Sequence, residues 1–488
     1  MGTCVVIFLG SVALSLLATP AAARLARRLG IVDRPSPRKI HRHPVPRIGG
    51  LAVALVTLVV TSVWVLLGCF PEGLAPGDLG SFGLLLGACT FLGLIGLVDD
   101  VYGLPAPAKL AAQLAAAGAI CAGGIRLDHL AVSHGGTLDL GWWSWPITIL
   151  WIVGATNALN LIDGLDGLAG GISAIACAAM AAYALHTNQG AMVVLMLAAL
   201  GSLTGFLVFN FHPARVFLGD CGTMFLGCLV AAAGVQCASE SESLVGIALP
   251  ALVLGVPIYD TFFSILRRLL ERRQVLAADR GHIHHRLLEL GLGHRSAVLR
   301  IHAVTLLAAG LGLLMVPMRQ GREVAVFACA WVLLGVFFRS FGTIRLRESL
   351  AVFHQWLTAR RRARRDERCL ARTRLQLDRA GNLENWWTNL CAAADELGFT
   401  RLRASLLRGQ DTLLTNVWQA RTEPSAREQQ TVHLSATAPG DEPGLLLRVE
   451  GDLLTNGCPE SAGRRAAALG RLIGEHGPVR VGARPLAA

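Results

Sequence analysis

The first 340 residues repeat one pattern, apolar runs about twenty residues long, each able to cross a hydrocarbon core about 30 Å thick. A backbone inside a bilayer must satisfy its own polar groups, so such runs fold as helices and leave each connection at one membrane face. The pattern predicts about eleven spanning helices, near residues 3–24, 48–70, 78–98, 107–125, 145–162, 168–187, 190–209, 221–238, 244–268, 300–318 and 323–340. Charged residues make up 16% of the chain, against about 25% in soluble domains, which excludes an ordinary soluble protein. The 12 cysteines are scattered, many of them inside apolar runs, with no CxxC. They suit small buried apolar side chains better than a disulfide or zinc framework.

Loop charge sets the expected orientation. Residues 24–47 carry eight Lys/Arg and one Asp, whereas the next connection, 71–80, carries no Lys or Arg. The first is expected inside and the second outside. Met1–Ala23 ends in alanines like a signal peptide, but Arg24, Arg27 and Arg28 follow the apolar run rather than precede it. That order predicts a retained first helix with its N-terminus outside. Alternation then brings every strongly polar island to the cytoplasmic face.

Past residue 340 the composition changes. Residues 341–380 are strongly basic and read as a linker or interfacial helix, a solvated charged face being a simpler account than nucleic-acid binding. The net charge of +11 implies no nucleic acid either, because most basic residues lie in loops. Residues 381–488 read as a small soluble α+β domain. NLENWWTNLCAAADELGF has helical periodicity, RLRASLL, NVWQART, TVHLSAT and GLLLRVE alternate as strands, and a last helix is expected near 461–475. No catalytic constellation lies there; regulation, dimerisation and partner binding all stay open. The expected fold is thus an all-α polytopic membrane domain over 1–340, followed by this soluble domain.

Four polar islands interrupt the apolar part. NALNLIDGLDGLAGG places Asn157, Asn160, Asp163 and Asp166 beside four glycines, between two expected spans. A charged residue at membrane depth costs about 2.5–3.5 kcal/mol on insertion scales, so such residues line polar cavities more often than lipid. A helix end with a Gly-rich turn is the plainer reading. Asp99 and Asp100 close the third helix; adjacent carboxylates suggest a divalent cation or a shared proton, or only a wet helix end. Lys109 could neutralise one of them, hold a phosphate, or snorkel. In FHPARVFLGDCGTMFLG, Asp220 could cap a helix or bind magnesium, Arg215 could pair with a phosphate, and Asn210 and Phe217 could offer an amide and an aromatic face to a base. RGHIHHR gathers His282, His284, His285 and Arg286 into a donor cluster, a poor zinc pattern but a good grip for phosphates or sugar hydroxyls. Together these groups suit transfer of a phosphate-linked unit from a nucleotide donor to a lipid acceptor.

These residues resemble the polyprenyl-phosphate N-acetylhexosamine-1-phosphate transferases (glycosyltransferase family 4), which include the enzyme forming lipid I and those starting O-antigen, enterobacterial common antigen and teichoic acid. The resemblance covers residues 1–340 through DRPSPRKIHRHPVPRIGG, VDD, NALNLIDGLDGLAGG, FNFHPARVFLGDCG and DRGHIHHRL. The forms of the first and last motifs are closer to the N-acetylglucosamine-1-phosphate branch. The resemblance implies Asp220 as a magnesium ligand, with manganese an alternative ion, and Asp99 and Asp100 as the acidic pair, Asp99 deprotonating the acceptor. It implies a nucleoside pocket of Asp163, Gly164, Leu165 and Asp166 with Asn210 and Phe217, Lys109 near the acceptor phosphate, and the three histidines near diphosphate and sugar. The implied partners are a UDP-sugar, undecaprenyl phosphate and membrane lipids, without nucleic acid; a homodimer is compatible. The implied location is a bacterial inner membrane with the site facing the cytoplasm. Two departures stand out: Gly103 where relatives using UDP-N-acetylglucosamine often carry another acid, and Cys221 in GDCG for GDSG. A transporter or flippase would instead spread ionisable residues through membrane depth. Loss of Asp99 or Asp220 would favour a catalytically dead scaffold, and both are present.

Overall fold

The structure, a computed structural model, describes residues 2–34, 43–70, 79–132, 136–239, 245–272, 281–318, 322–341, 346–420, 431–439, 444–455 and 459–477. Part of the first motif (35–42) and Arg280 lie outside these residues. The chain divides into two compact units, Met1–Ser349 and Leu350–Ala488.

The first unit is a helical bundle of α1 (Gly2–Leu29), α2 (Gly49–Leu66), α3 (Leu79–Tyr102), α4 (Ala106–Ala122), α5 (Ser144–Ile162), α6 (Leu168–His186), α7 (Gly190–Asn210), α8 (Gly219–Ser239), α9 (Val245–Val253), α10 (Gly255–Leu270), α11 (Ile283–Glu289), α12 (His294–Leu314) and α13 (Arg322–Ser340). Two short antiparallel ribbons accompany them, β1 (Val32–Asp33) with β2 (Val45–Pro46), and β3 (His129–Val132) with β4 (Gly136–Asp139). Among the described residues nine helices are long and apolar enough to span a membrane, or ten if α9 and α10, bent by 71°, form one span. This is a multi-pass membrane protein.

The expected count of eleven is not reached among the described residues, for two physical reasons. The run expected at 107–125 forms only the 17 residues of α4, about 25 Å of helix. The run expected at 244–268 breaks between α9 and α10, where Pro257 has no N–H to bond the Val253 carbonyl.

The bundle is built around α8. Its sequence, GDCGTMFLGCLVAAAGVQCAS, is apolar and small-sided all round, the pattern of a helix enclosed on every side, and nearly every residue in it is buried. Lipid tails are as apolar as Leu, so contact between spanning helices comes from close packing of small residues rather than from the hydrophobic effect. Gly96 of α3 shows this: a Cβ there would overlap the Asp220 carbonyl, and one on Gly50 of α2 would overlap Gly222. The segment leading into α2 is tied to the α7–α8 connection by Phe217 N to Pro46 O (2.8 Å) and Gly49 N to Phe217 O (2.9 Å). These ties fix the N-terminus of α8, where Asp220 sits.

In the second unit, α14 (Leu346–Asp378) precedes α15 (Leu383–Leu397), the strands β5 (Phe399–Arg408), β6 (Asp411–Gln419), β7 (Thr431–Pro439) and β8 (Leu445–Leu454), and α16 (Pro459–Glu475). The sheet is antiparallel in the order β6-β5-β8-β7. The expected α+β domain is therefore present. The Asn382 side chain caps α15 by accepting from Asn385 N, and Gly398 ends it in a left-handed turn. Cys369 and Leu377 enter the same core as Trp386, Leu402 and Val449, so the basic helix packs as part of this unit over its C-terminal half.

Candidate active site

Helix N-termini leave backbone N–H groups without partners and carry partial positive charge. At α8 those groups meet a carboxylate from another helix: Asp220 N donates to Asp100 Oδ1 (3.0 Å) and Cys221 N to Asp100 Oδ2 (3.0 Å). Arg47 lies 3.5 Å from the same carboxylate. Gly219 makes this approach feasible, with φ +74° and no room for a Cβ against the Arg47 carbonyl and Asp100. Asp100 thus docks α3 onto α8. Its neighbour Asp99 points elsewhere and accepts from Lys109 Nζ (2.7 Å), and Lys109 also donates to Asp220 Oδ2 (3.0 Å). Asn160 Nδ2 donates to Asp220 Oδ1 (3.0 Å) and to Thr223 Oγ1 (2.8 Å). One ammonium therefore joins two carboxylates from different helices, with a side-chain amide alongside. Gly103 ends α3 with φ +71°, and Leu104 N then bonds Asp99 Oδ1, so the departure at 103 serves the helix terminus that presents the acidic pair.

A cavity of about 630 Å³ opens beside Asp220. Asn160, Asp163, Gly164, Leu165, Asp166, Asn210, Phe217 and His285 all line it, as do Arg47, His212 and His294. Burial pushes the Asp163 carboxyl up to about 8, with Asp220 and Asp100 adding to the shift. Asn210 acts as a brace, accepting from Gly167 N (3.1 Å) and donating to Val216 O (2.9 Å). Asp166 Oδ2 meets His212 Nδ1 (2.7 Å) and Ala214 N (3.1 Å), while Asp166 N donates to His294 Nε2 (2.9 Å). Asp166, His212 and His294 bring one ligand atom each to within 4.8 Å. Their hydrogen bonds explain that convergence as a clamp on the 163–167 turn.

The histidine motif is held from below. Asp260 of α10, 4% exposed, accepts from Ile283 N (2.7 Å) and lies 2.8 Å from His282 Nδ1. His284 is 2% exposed and stacks at the turn so tightly that a Cβ on Gly164 would overlap its ring. Burial, then His285 and His282, lower its pKa to about 3, so the ring is neutral at physiological pH. Asp260→Ala takes away the acceptor of the buried Ile283 N–H and the carboxylate beside His282 Nδ1, which costs about 1–3 kcal/mol. A thermal unfolding scan checks this: the expected result is a clear drop with Ala and a smaller one with Asn.

The structure thus gathers Asp99, Lys109, Asn160, Asp163, Gly164, Leu165, Asp166, Asn210, Phe217, Asp220 and His285 around one region at one end of the helices. Others stand apart. Asn157 pairs with Gln113 of α4 (2.6 Å), Arg286 pairs with Glu289 (2.7 Å), and Arg215 is exposed and outside the cavity lining. His282 and His284 stand behind His285, outside that lining. Sequence reasoning missed Asp260, His212 and His294. An acid inside the apolar run of α10 was a signal for the first, and His212 lay within a chosen motif. His294 gave no signal.

The bundle and its one-ended polar cavity define a polytopic membrane protein in which ionisable groups from several helices converge on a ligand-sized recess. Residues 82–238 match the model of Glycosyl transferase family 4. The chain is 40% identical over 301 residues to a Bacillus subtilis (strain 168) protein named probable undecaprenyl-phosphate N-acetylglucosaminyl 1-phosphate transferase, covering 62% of this chain and 81% of that one. It is 33% identical to the decaprenyl-phosphate N-acetylglucosaminephosphotransferase of Mycobacterium tuberculosis (strain ATCC 25618 / H37Rv), over 58% of this chain and 76% of that one. It is 26% identical to the undecaprenyl-phosphate alpha-N-acetylglucosaminyl 1-phosphate transferase of Escherichia coli O157:H7, over 66% and 84%. The chain belongs to glycosyl transferase family 4.

Proposed function

We propose that this protein transfers N-acetylglucosamine 1-phosphate from UDP-N-acetylglucosamine to undecaprenyl phosphate, releasing UMP, at the cytoplasmic face of a bacterial inner membrane. The observation that carries the reading is the junction of Asp99, Lys109, Asp220 and Asn160 with a 630 Å³ recess at one end of membrane-length helices. A recess of that size is in the range of small-ligand sites, about 300–1,000 Å³. The relatives' names supply the sugar and the lipid.

The acceptor phosphate oxygen attacks the β-phosphorus of the donor, the bond from that phosphorus to the bridging oxygen breaks, and UMP departs. In this reading Asp99 takes or orients the acceptor proton, and Lys109, which bonds both Asp99 and Asp220, draws the two phosphates together. Asp163, Asp166, Asn210 and Phe217 form the nucleoside side of the recess, and His285 the diphosphate side. The donor set fits a divalent cation: two carboxylates and an amide offer hard oxygens, and buried acids outnumber the cations near them. Asp220 and Asp99 would hold magnesium, or manganese in its place, which when bound neutralises diphosphate charge.

The test is a membrane assay with radiolabelled UDP-hexosamines, undecaprenyl phosphate and magnesium. Label from UDP-N-acetylglucosamine should enter the lipid and return to the nucleotide when excess UMP is added. Label from a different UDP-amino sugar alone would keep the reaction and change the substrate. Deleting residues 350–488 should leave transfer measurable, because the described residues that line the recess all belong to the first unit. Loss of all transfer from a truncated chain that still inserts would assign that unit a role in the reaction.

A further inference from the structure

The second unit holds another concentration of charge. α14 carries Arg361, Arg364, Arg365, Arg368 and Arg372. At 3.6 residues per turn these five fall within an arc about 100° wide, one face of the helix. Asp366 and Glu367, the acids of the same stretch, fall outside that arc, and Asp366 lies 3.9 Å from Arg465 of α16. The five arginines, with Cys369 and Glu396, line a cavity of about 360 Å³. Glu396 is the only carboxylate in that lining, 3.7 Å from Arg365 Nε. Among the described residues no acid pairs with Arg361, Arg364, Arg368 or Arg372.

Like charges three and four residues apart weaken a helix. Here they recur at 361/364, 361/365, 364/368, 365/368 and 368/372, a mutual repulsion that an anion bound on this face would relieve. Guanidinium groups present planar pairs of donors that match phosphate oxygens, and remain charged at any physiological pH. We propose that the arginine-lined cavity of the second unit binds a phosphate-bearing anion, drawn either from an anionic lipid headgroup or from a free phosphorylated compound. Its volume suits a diphosphate or a glycerophosphate headgroup better than a lone halide. The lipid source has support from the chain itself, since α14 begins within six residues of the end of α13, the last membrane-length helix. None of these arginines belongs to the phosphosugar site, so the proposal stands whether or not the assigned donor is correct.

The test uses the full-length protein in phosphatidylcholine nanodiscs and follows amide hydrogen exchange across residues 356–378. One arm adds inorganic pyrophosphate; the other replaces part of the phosphatidylcholine with phosphatidylglycerol. In at least one arm the α14 amides should slow about tenfold once the site is about nine-tenths filled. The slowing should shrink as salt is raised. It should vanish in the R364Q/R368Q/R372Q variant, whose β5 and β8 amides should keep their protection and so show that the unit is folded. Slowing with pyrophosphate alone assigns a free phosphate, and slowing with phosphatidylglycerol alone assigns a headgroup. No slowing in either arm, or equal slowing in the triple variant, overturns the proposal.

Discussion

Asp220→Ala should lower phosphosugar transfer by about a thousandfold or more while the protein still inserts and elutes as a folded species. Among the described residues Asp220 is the one carboxylate that touches Lys109, Asn160 and the large cavity together. Removing it frees Lys109 to collapse onto Asp99 and takes away the proposed cation ligand and the anchor of Asn160. The fold should survive, because the bonds that dock α8 run through the Asp220 and Cys221 backbone N–H groups to Asp100. Asp220→Asn sharpens the reading. It keeps the size and one oxygen acceptor but loses the charge, and should be nearly as inactive. Substantial turnover in either variant, with normal expression, would remove Asp220 from the reaction.

The second large effect is expected from a residue with no chemistry of its own. Gly96→Ala should reduce transfer by about a hundredfold, because misplacement of a reacting group by about 1 Å costs that much. A Cβ at 96 overlaps the Asp220 carbonyl and crowds Cys221 N, and both are backbone atoms that cannot rotate away. The α3–α8 crossing must then open, carrying Asp99 away from Asp220. Gly118→Ala in α4, where a Cβ meets nothing, is the control and should be silent. Near-normal activity in Gly96→Ala would show that the distance between α3 and α8 does not govern the site.

Much of this arrangement was legible in the sequence because a membrane makes polarity informative. Apolar runs marked the helices, and Asp99, Asp163, Asp166 and Asp220 stood out as charges where charge is costly; the structure brings all four together. The alternating segments RLRASLL and GLLLRVE do pair, as neighbouring strands β5 and β8. What escaped was what depends on long-range partners. Asp100 looked equivalent to Asp99, yet only the fold directs one into the α8 terminus and the other toward Lys109. The clamp of His294 on Asp166 joins residues 128 positions apart and belongs to no motif. The α9–α10 bend left no trace in hydropathy, because a proline hardly changes the mean of an apolar run. The basic stretch read as a linker because charge dominates its composition, while Cys369 and Leu377, sparse among the arginines, are what seat it in a core.

The most direct measurement uses a donor labelled twice, with carbon-14 in the sugar and phosphorus-32 in the β-phosphate, incubated with membranes, undecaprenyl phosphate and magnesium. Phosphosugar transfer predicts that both labels enter the lipid in their starting ratio and that the nucleotide released is UMP. Carbon-14 entering the lipid without phosphorus-32, with UDP released, would mean that the sugar moves alone and would contradict the account.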